Sequence, residues 1–390
     1  MWIKKRHVIT NFLLRITLVP FMKIKYRLKL GKRYSFSDGS IIVSNHVTSM
    51  DQFMVGALIK QHTYIISTQD LFNHRFIGKL IFNLVGPISK EKSNPNDIVA
   101  IKNCIKVSKE KGNIVVFAEG NRSINGNLCI VDKSIAKLVK LLKKPLVIVN
   151  IVGGYGVEPR WSDKSRKGRL ECFVKKVYPY QELENKDVDE IYDLIVNGIN
   201  VDNYKYSPYK SRKKAEYLER VVYRCPKCGS LHTLHSKGNY LSCSSCNLKV
   251  KYNEDLTLSS EDQNFKFKYL SDWYKYQIDE LKKETFKEDE IIFKDEVKIY
   301  QPRLYKKKLL VGRGSFELYS KYFLFKLENK EIKLPLDEVK AITILGRKKL
   351  NIYHGKKTYQ ILGDTRLNFV KYMNAFYLLK GEDNDEFMGL

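Results

Sequence analysis

The N-terminal half of this chain predicts an α/β fold, with a mixed sheet and flanking helices. Apolar, β-branched runs of strand length alternate there with amphipathic runs of helix length. Polar residues follow directly after two of the apolar runs, at the strand ends where α/β sheets bind their ligands. Paired cysteines and then a series of short strand patterns come next. A chain of 390 residues with these changes of pattern predicts several domains.

The elements of this half follow in order from the periodicity. Strands are predicted at 40–44, 63–67, 113–118, 145–152 and 169–177. Helices are predicted at 49–60, 69–84, 95–111, 132–143 and 187–198. Ser49 is a candidate N-cap for its helix, and Pro95 suits a first helical turn.

The N-terminal segment, residues 1–33, is basic and apolar. It holds ten Lys or Arg and no acidic residue, and Arg15 interrupts its apolar run at 8–22. That run is shorter than the roughly 20 residues that cross a bilayer. We therefore expect an interfacial helix on the cytoplasmic face of the membrane, its basic groups against anionic lipid. The alternative is an amphipathic helix that simply covers the domain.

Charge and cysteine usage limit the partners and the compartment. The chain has 70 basic and 43 acidic residues, a net charge of +27, which indicates a polyanionic partner. Its concentration in residues 1–33 favours membrane lipid over nucleic acid. Cys104, Cys129 and Cys172 are scattered through predicted core elements, which is typical of a reducing cytoplasm rather than of a disulfide framework.

A histidine and an aspartate lie at the end of the first strand. His46 falls in the turn after 40–44, and Asp51 falls at the start of the following helix. This offset lets the chain fold His46 back onto the carboxylate, which would fix the imidazole tautomer. The other ring nitrogen is then a general base toward a hydroxyl. The alternative is that His46 caps the helix and Asp51 is a surface charge.

A second polar motif lies at the end of another predicted strand. Glu119-Gly120-Asn121-Arg122 follows the strand at 113–118 directly. Gly120 permits an unusual backbone angle, and the Arg122 fork suits phosphate oxygens. The two motifs together indicate an enzyme that activates an alcohol on a phosphorylated substrate.

The paired motifs Asn45-His46-x4-Asp51 and Phe117-x-Glu119-Gly120-x-Arg122-Ser123 resemble the glycerophospholipid acyltransferases, in particular the bacterial 1-acylglycerol-3-phosphate acyltransferases. The resemblance implies a glycerolipid-acyltransferase-like sheet over residues 34–206. It also implies acyl transfer from acyl-CoA or acyl carrier protein to lysophosphatidic acid, with no catalytic cofactor. By this resemblance His46 is the base and Asp51 orients it. The implied substrate-binding residues are Asn45, Lys90, Glu119, Gly120, Arg122 and Ser123.

Three positions depart from the family's pattern. Lys90 stands where an arginine is usual, Ala118 replaces a proline before Glu119, and Asn150 replaces a second proline. Lysine keeps the charge but loses the bidentate fork. The helices 53–60 and 71–84 are candidates for an acyl-chain groove, and the Gly-rich run 153–156 for the rim of the site.

Four cysteines follow a basic helical linker. Cys225-x2-Cys228 and Cys243-x2-Cys246 are separated by fourteen residues, which is the pattern of a structural four-cysteine zinc ribbon. We assign residues 207–258 to this linker and ribbon. His232 and His235 lie between the pairs and are alternative ligands.

Residues 259–390 show short alternating runs that predict an antiparallel β domain with a terminal helix at 366–379. The strands are expected at 315–319, 322–327, 331–334, 339–345, 350–353 and 358–361. This order is similar to pleckstrin-homology-like folds. The acidic end, 382–386, is expected to be a disordered tail.

The sequence thus predicts a peripheral membrane O-acyltransferase. In the predicted reaction, His46 deprotonates the hydroxyl of a lipid acceptor, and this hydroxyl attacks a thioester. Backbone donors near the two motif turns are expected to stabilise the oxyanion. One alternative is the same transfer to glycerol 3-phosphate or to a glycolipid. The other is a non-enzymatic zinc-ribbon protein that binds nucleic acid or protein.

Overall fold

A mixed seven-stranded sheet forms the core of the N-terminal half in the computed structural model, which describes residues 2–68, 75–90, 97–303 and 306–381. Its strands are β1 Leu28–Leu30, β2 Ser40–Ser44, β3 Thr63–Thr68, β4 Ile88–Lys90, β5 Asn113–Phe117, β6 Leu146–Val152 and β7 Leu170–Tyr178. Their spatial order is β1-β7-β6-β2-β5-β3-β4. Strands β2 to β6 pair in parallel, and β7 runs antiparallel to β6. The predicted mixed α/β fold is therefore confirmed.

The central position of β2 and β6 follows from their composition. Every residue of both strands is buried. Both strands are continuous apolar runs, apart from the two serines of β2 and Asn150 of β6. Strands covered on both faces need such runs, whereas edge strands tolerate polar residues. Motifs that follow β2, β5 and β6 consequently meet at the carboxyl edge of the sheet.

Eight helices accompany this sheet in the described part of the chain. They are α1 Lys5–Tyr26, α2 Asp51–Leu58, α3 Arg75–Val85, α4 Ile98–Lys109, α5 Ser134–Leu142, α6 Gly154–Val157, α7 Tyr180–Leu183 and α8 Val188–Ile199. Helix α2 begins at Asp51 rather than at the predicted Ser49. The predicted helix starts at 69 and 95 lie outside the described residues, as does part of the predicted acyl groove. Asp187 and Glu190 form a capping box that begins α8.

Helix α1 is longer than the predicted apolar run. It has 22 residues and is, among the described residues, a helix long and apolar enough by length and composition to cross a membrane. Arg15 nevertheless donates to the carbonyls of Gly56 and Lys60 at the end of α2, both at 2.8 Å. This contact ties α1 to the domain. Its outer face exposes Val8, Ile9, Phe12, Leu13, Ile16, Phe21 and Ile24.

The cysteine region forms a small antiparallel sheet. Its strands are β8 Leu234–Lys237, β9 Tyr240–Cys243, β10 Lys249–Tyr252 and β11 Leu258–Ser260, in the order β11-β10-β9-β8. Helix α9, Leu270–Lys282, follows it. The Trp273 indole of α9 donates to the Arg224 carbonyl at 2.9 Å, so the helix packs beside the first cysteine pair.

A seven-stranded antiparallel sheet and a final helix complete the chain. The strands are β12 Phe293–Arg303, β13 Lys306–Leu318, β14 Tyr322–Leu327, β15 Lys330–Pro335, β16 Val339–Leu345, β17 Lys349–His354 and β18 Lys357–Leu362, followed by α10 Val370–Leu379. Their order is β15-β14-β13-β12-β18-β17-β16. The antiparallel β domain is confirmed. Sequence reasoning missed β12, where only Phe293, Val297 and Ile299 are buried apolar positions among charged neighbours. The expected acidic tail lies outside the described residues.

Candidate active site

The turn between β2 and α2 brings His46 and Asp51 together. The Nδ1 of His46 lies 2.7 Å from Oδ2 of Asp51. Because the carboxylate only accepts hydrogen bonds, Nδ1 carries the shared proton and Nε2 has the lone pair of a base. The Asp51 side chain is fully buried, while that of His46 is 22% exposed. The arrangement is an imidazole that is fixed at Nδ1 and whose side chain stays partly exposed.

The Asp51 carboxylate also organises the turn itself. It accepts the backbone N–H of Val47 at 2.6 Å and that of Thr48 at 2.9 Å. The Thr48 hydroxyl donates to its other oxygen at 2.5 Å. Four donors around one buried carboxylate leave it little freedom, so the five-residue spacing from His46 to Asp51 produces a rigid pair.

The His46 ring rests on an aromatic side chain from the neighbouring strand. It stacks on Phe117 at the end of β5, with ring centroids 4.5 Å apart and planes inclined by 25°. The ring is therefore held by a hydrogen bond at its edge and by a stacking contact on its face.

Glu119 joins the two motif turns. It is buried, and it accepts the backbone N–H of His46 at 2.6 Å and that of Cys129 at 3.0 Å. Burial raises its pKa to about 7, while these two backbone donors act in the opposite direction. Within the described residues its contacts are structural, and the predicted contact with the acceptor stays a prediction.

The remaining residues of the second motif form a tight loop after β5. Gly120 has φ of +62°, a left-handed conformation that favours glycine. The Ser123 hydroxyl accepts the Gly126 N–H at 2.9 Å, and the Ser123 N–H donates to the His46 carbonyl at 3.3 Å. Arg122 points to Glu158, with 3.1 Å between Nη1 and Oε1.

The sequence also predicts Asn45 and Lys90 as substrate-binding residues. The Asn45 amide is buried and exchanges hydrogen bonds at 2.8 Å with the backbone of Ile151 in β6, so it braces the sheet. Lys90 ends the edge strand β4, which β3 separates from β5, and its charge acts on Asp132 and Cys104. The predicted role of Lys90 in substrate binding stays a prediction.

Backbone N–H groups in the two motif turns bond to partners within the described part of the chain. Every backbone N–H from His46 to Met50 and from Gly120 to Ser123 already has a partner within the chain. The expected stabilisation of an oxyanion by backbone donors near the motif turns stays a prediction. These backbone N–H groups donate largely to the carboxylates and carbonyls that shape the turns.

Sequence reasoning missed Glu158. This buried residue follows α6 and contacts the Ser49 N–H at 3.3 Å, the Tyr26 hydroxyl at 3.1 Å and Arg122. It also pairs with Arg347 of the C-terminal sheet at 3.4 Å. Its position could have been noticed in the sequence, because it follows the glycine run 153–156 after β6. The carboxyl ends of strands in such sheets are where ligands bind.

The four predicted cysteine ligands converge. The sulfur atoms of Cys225, Cys228, Cys243 and Cys246 all lie within 4.8 Å of one another. Two of the separations are 3.5 Å and 3.8 Å. A tetrahedral ion with bonds of about 2.3 Å to sulfur requires about 3.8 Å between its ligands. The residues therefore fit a metal ion held by four thiolates.

Comparison with known proteins agrees with this site. Residues 27–152 match the Acyltransferase family model, and this part of the chain contains both motif turns. Residues 27–152 therefore match an acyltransferase domain, and acyl transfer is the chemistry that this family's name describes.

Among solved structures, the chain is similar to the 1-acyl-sn-glycerophosphate (LPA) acyltransferase, PlsC, from Thermotoga maritima. It has 16% sequence identity and a TM-score of 0.41, over 50% of this chain and 79% of that chain. A search of curated proteins gives no match.

Proposed function

We propose that this protein transfers a fatty acyl group from a thioester, acyl-CoA or acyl carrier protein, to the free hydroxyl of 1-acylglycerol 3-phosphate. The product is phosphatidic acid. The observation that carries the proposal is the accessible His46 ring fixed by the buried Asp51, in contact with the loop that holds Arg122. A base beside a guanidinium suits an alcohol on a phosphorylated acceptor.

The chemistry follows from the free Nε2 of His46. This nitrogen takes the proton of the acceptor hydroxyl as the oxygen attacks the thioester carbonyl carbon. The new C–O bond forms, the C–S bond breaks, and the departing thiolate takes the proton from the imidazolium. Asp51 stabilises that imidazolium through Nδ1. No covalent acyl-enzyme is required.

The N-terminal helix supports a membrane location for this reaction. Its exposed apolar face lies among the basic residues of segment 1–33, so aliphatic and aromatic groups can enter the headgroup boundary while Lys and Arg meet anionic lipid. We place the protein peripherally on the cytoplasmic face. The lysophospholipid acceptor would reach the site from that membrane.

The cysteine cluster has a structural part in this proposal. Four thiolates fill a tetrahedral zinc site and leave no position for a substrate or a water. Zn²⁺ bound there would stabilise the small sheet β8–β11, which buries too little apolar surface to fold alone.

An acceptor panel tests the function. Purified protein is mixed with acyl-CoA or acyl carrier protein thioester and with 1-acylglycerol 3-phosphate, glycerol 3-phosphate or a glycolipid, and the products are identified by mass spectrometry. We expect phosphatidic acid from the first acceptor. Product from another acceptor alone would replace the substrate assignment. If no donor and acceptor pair gave an acyl product, the proposal that the protein is an acyltransferase would be rejected.

A further inference from the structure

In the described part of the chain, the hairpin of β16 and β17, whose turn is 346–348, carries contacts between the C-terminal sheet and the acyltransferase-like domain. The Asn121 amide donates to the Thr343 hydroxyl and to the Ile344 carbonyl, both at 3.2 Å. The buried Arg160 guanidinium donates to the Gly346 carbonyl at 3.1 Å. The hairpin therefore lies directly on the loop that carries Arg122.

Two guanidinium groups meet one carboxylate oxygen at this contact. Oε1 of Glu158 lies 3.1 Å from Nη1 of Arg122 and 3.4 Å from Nη2 of Arg347. The Glu158 side chain is 5% exposed and that of Arg347 is 30% exposed. The Nε–H of Arg347 is buried and has no hydrogen-bond partner among the described residues. The Glu158 carboxylate thus faces two guanidinium groups, and the Arg347 Nε–H is left to donate to a further acceptor.

This pair of cations borders the catalytic turn. Glu158 accepts the Ser49 N–H, three residues from His46. The charges of Asp51 and Arg347 both act on Arg122, whose pKa is lowered mainly by burial. An anion held between the two guanidinium groups would therefore lie beside the base.

We propose that Arg347 is a specificity-determining residue that completes, with Arg122, a two-guanidinium site for the phosphate monoester of the acceptor. The proposal rests on the proposed function and names the second cation of its acceptor site. Guanidinium forks match phosphate oxygens, and a phosphate monoester carries about −1.5 to −2 charge at pH 7. Glu158 keeps the two like charges together before the acceptor binds. Lys90, which the sequence also assigns to substrate binding, ends the edge strand β4.

Docking of the hairpin does not explain Arg347, because other contacts already hold the hairpin. Arg160 and Asn121 bond its backbone, and Lys348 pairs with Asp163 at 2.8 Å. Lys348 is therefore a matched control. It adjoins Arg347 and makes an ion pair with the same domain, but it contacts a different carboxylate.

The test compares Arg347→Ala, Arg347→Lys and Lys348→Ala with the native protein. Steady-state kinetics are measured with 1-acylglycerol 3-phosphate and with the unphosphorylated 1-acylglycerol. Loss of a charge-assisted contact predicts a rise of about 10- to 100-fold in KM for the phosphorylated acceptor in Arg347→Ala. The Lys variant falls between Ala and native. The kcat, the KM of the thioester and the kinetics of Lys348→Ala change less than about twofold.

Inorganic phosphate provides a readout that needs no turnover. Calorimetric titration of phosphate into the native protein and into Lys348→Ala should show the same affinity, and Arg347→Ala should bind at least about tenfold more weakly. Equal losses in Lys348→Ala and Arg347→Ala, or equal losses with 1-acylglycerol, would make Arg347 a docking residue and overturn the proposal. So would unchanged kinetics in Arg347→Ala.

Failure of the proposed function looks different. If the native protein acylates no phosphorylated acceptor, the function falls, but phosphate binding that depends on Arg347 still supports the anion site. If the native protein is active and Arg347→Ala matches it in KM and in phosphate affinity, the function stands and only the Arg347 assignment fails. Melting temperatures identify a variant that is simply unfolded.

Discussion

The proposed catalytic turn and the proposed anion face, which consists of Arg122, Glu158 and Arg347, are built in opposite ways. The catalytic turn, residues 46–51, closes within five positions of the chain. The anion face joins Arg122 to Glu158 across 36 positions and Arg347 to Glu158 across 189. Local spacing is enough to form the first, since a short turn costs little chain entropy. The second exists only after two domains have docked.

The largest effect is expected in the catalytic turn. His46→Ala removes the base and should lower kcat by about 10³-fold, which is about 4 kcal/mol, with little change in KM for the acceptor. This signature is the reverse of that expected for Arg347. Steady-state kinetics check it, with the exposed His235→Ala as the matched control.

Full turnover in His46→Ala would show that His46 is not the base. The expected contrast between a kcat effect at His46 and a KM effect at Arg347 would then be lost. A rise in KM without a fall in kcat would instead place His46 in the binding of the acceptor.

A smaller effect is expected at Glu119, the residue that joins the two turns. Its folded-state pKa of about 7 lies above the ordinary value of 4.5, so the folded state holds this proton more tightly than the unfolded state does. The contribution to stability is therefore greatest below pH 4.5. It declines as pH rises to about 7, by about 3 kcal/mol in total.

Denaturant unfolding of the native protein and of Glu119→Gln between pH 4.5 and 8 measures this loss. The Gln variant lacks the titration, so its stability relative to native should improve as pH rises. The exposed Glu184→Gln provides the control and should follow the native profile. Parallel profiles for native and Glu119→Gln would show that Glu119 does not link the turns through its charge.

The smallest effect is expected from the cysteine cluster. Arg366, just before α10, pairs with Glu216 at 2.8 Å and bonds the ribbon carbonyl of Ser236 at 3.1 Å, so the ribbon helps to position the C-terminal sheet. Cys228→Ser should lose bound zinc and loosen that position. We expect KM for the phosphorylated acceptor to rise by about tenfold or less, about 1.4 kcal/mol at most, with kcat retained.

Metal analysis and kinetics check this prediction, with Ser244→Ala, a knuckle residue outside the cluster, as the control. A native protein that holds no zinc after purification with zinc present would contradict the metal assignment. If Cys228→Ser lost zinc without any change in the KM for the phosphorylated acceptor, the ribbon would not position the anion face.

The amino-acid sequence by itself determined the parts whose partners are close along the chain or share a strong pattern. His46 with Asp51, the strand ends that carry them, and the convergence of four cysteines follow from spacing alone, because a few backbone angles decide such contacts. The alternation of strands and helices likewise predicted the mixed sheet. The weakly apolar strand β12 was missed because its inward positions are sparse.

Only the tertiary structure decided which groups complete the site. It gave the Asp51 and Glu119 carboxylates backbone donors from the motif turns, and it brought Glu158 and Arg347 to the proposed anion face. No local pattern marks Arg347, since its neighbourhood is one basic hairpin among several in a chain of net charge +27. Its position depends on how the C-terminal sheet docks, and that is set by the summed packing and hydrogen bonds of surfaces hundreds of residues apart.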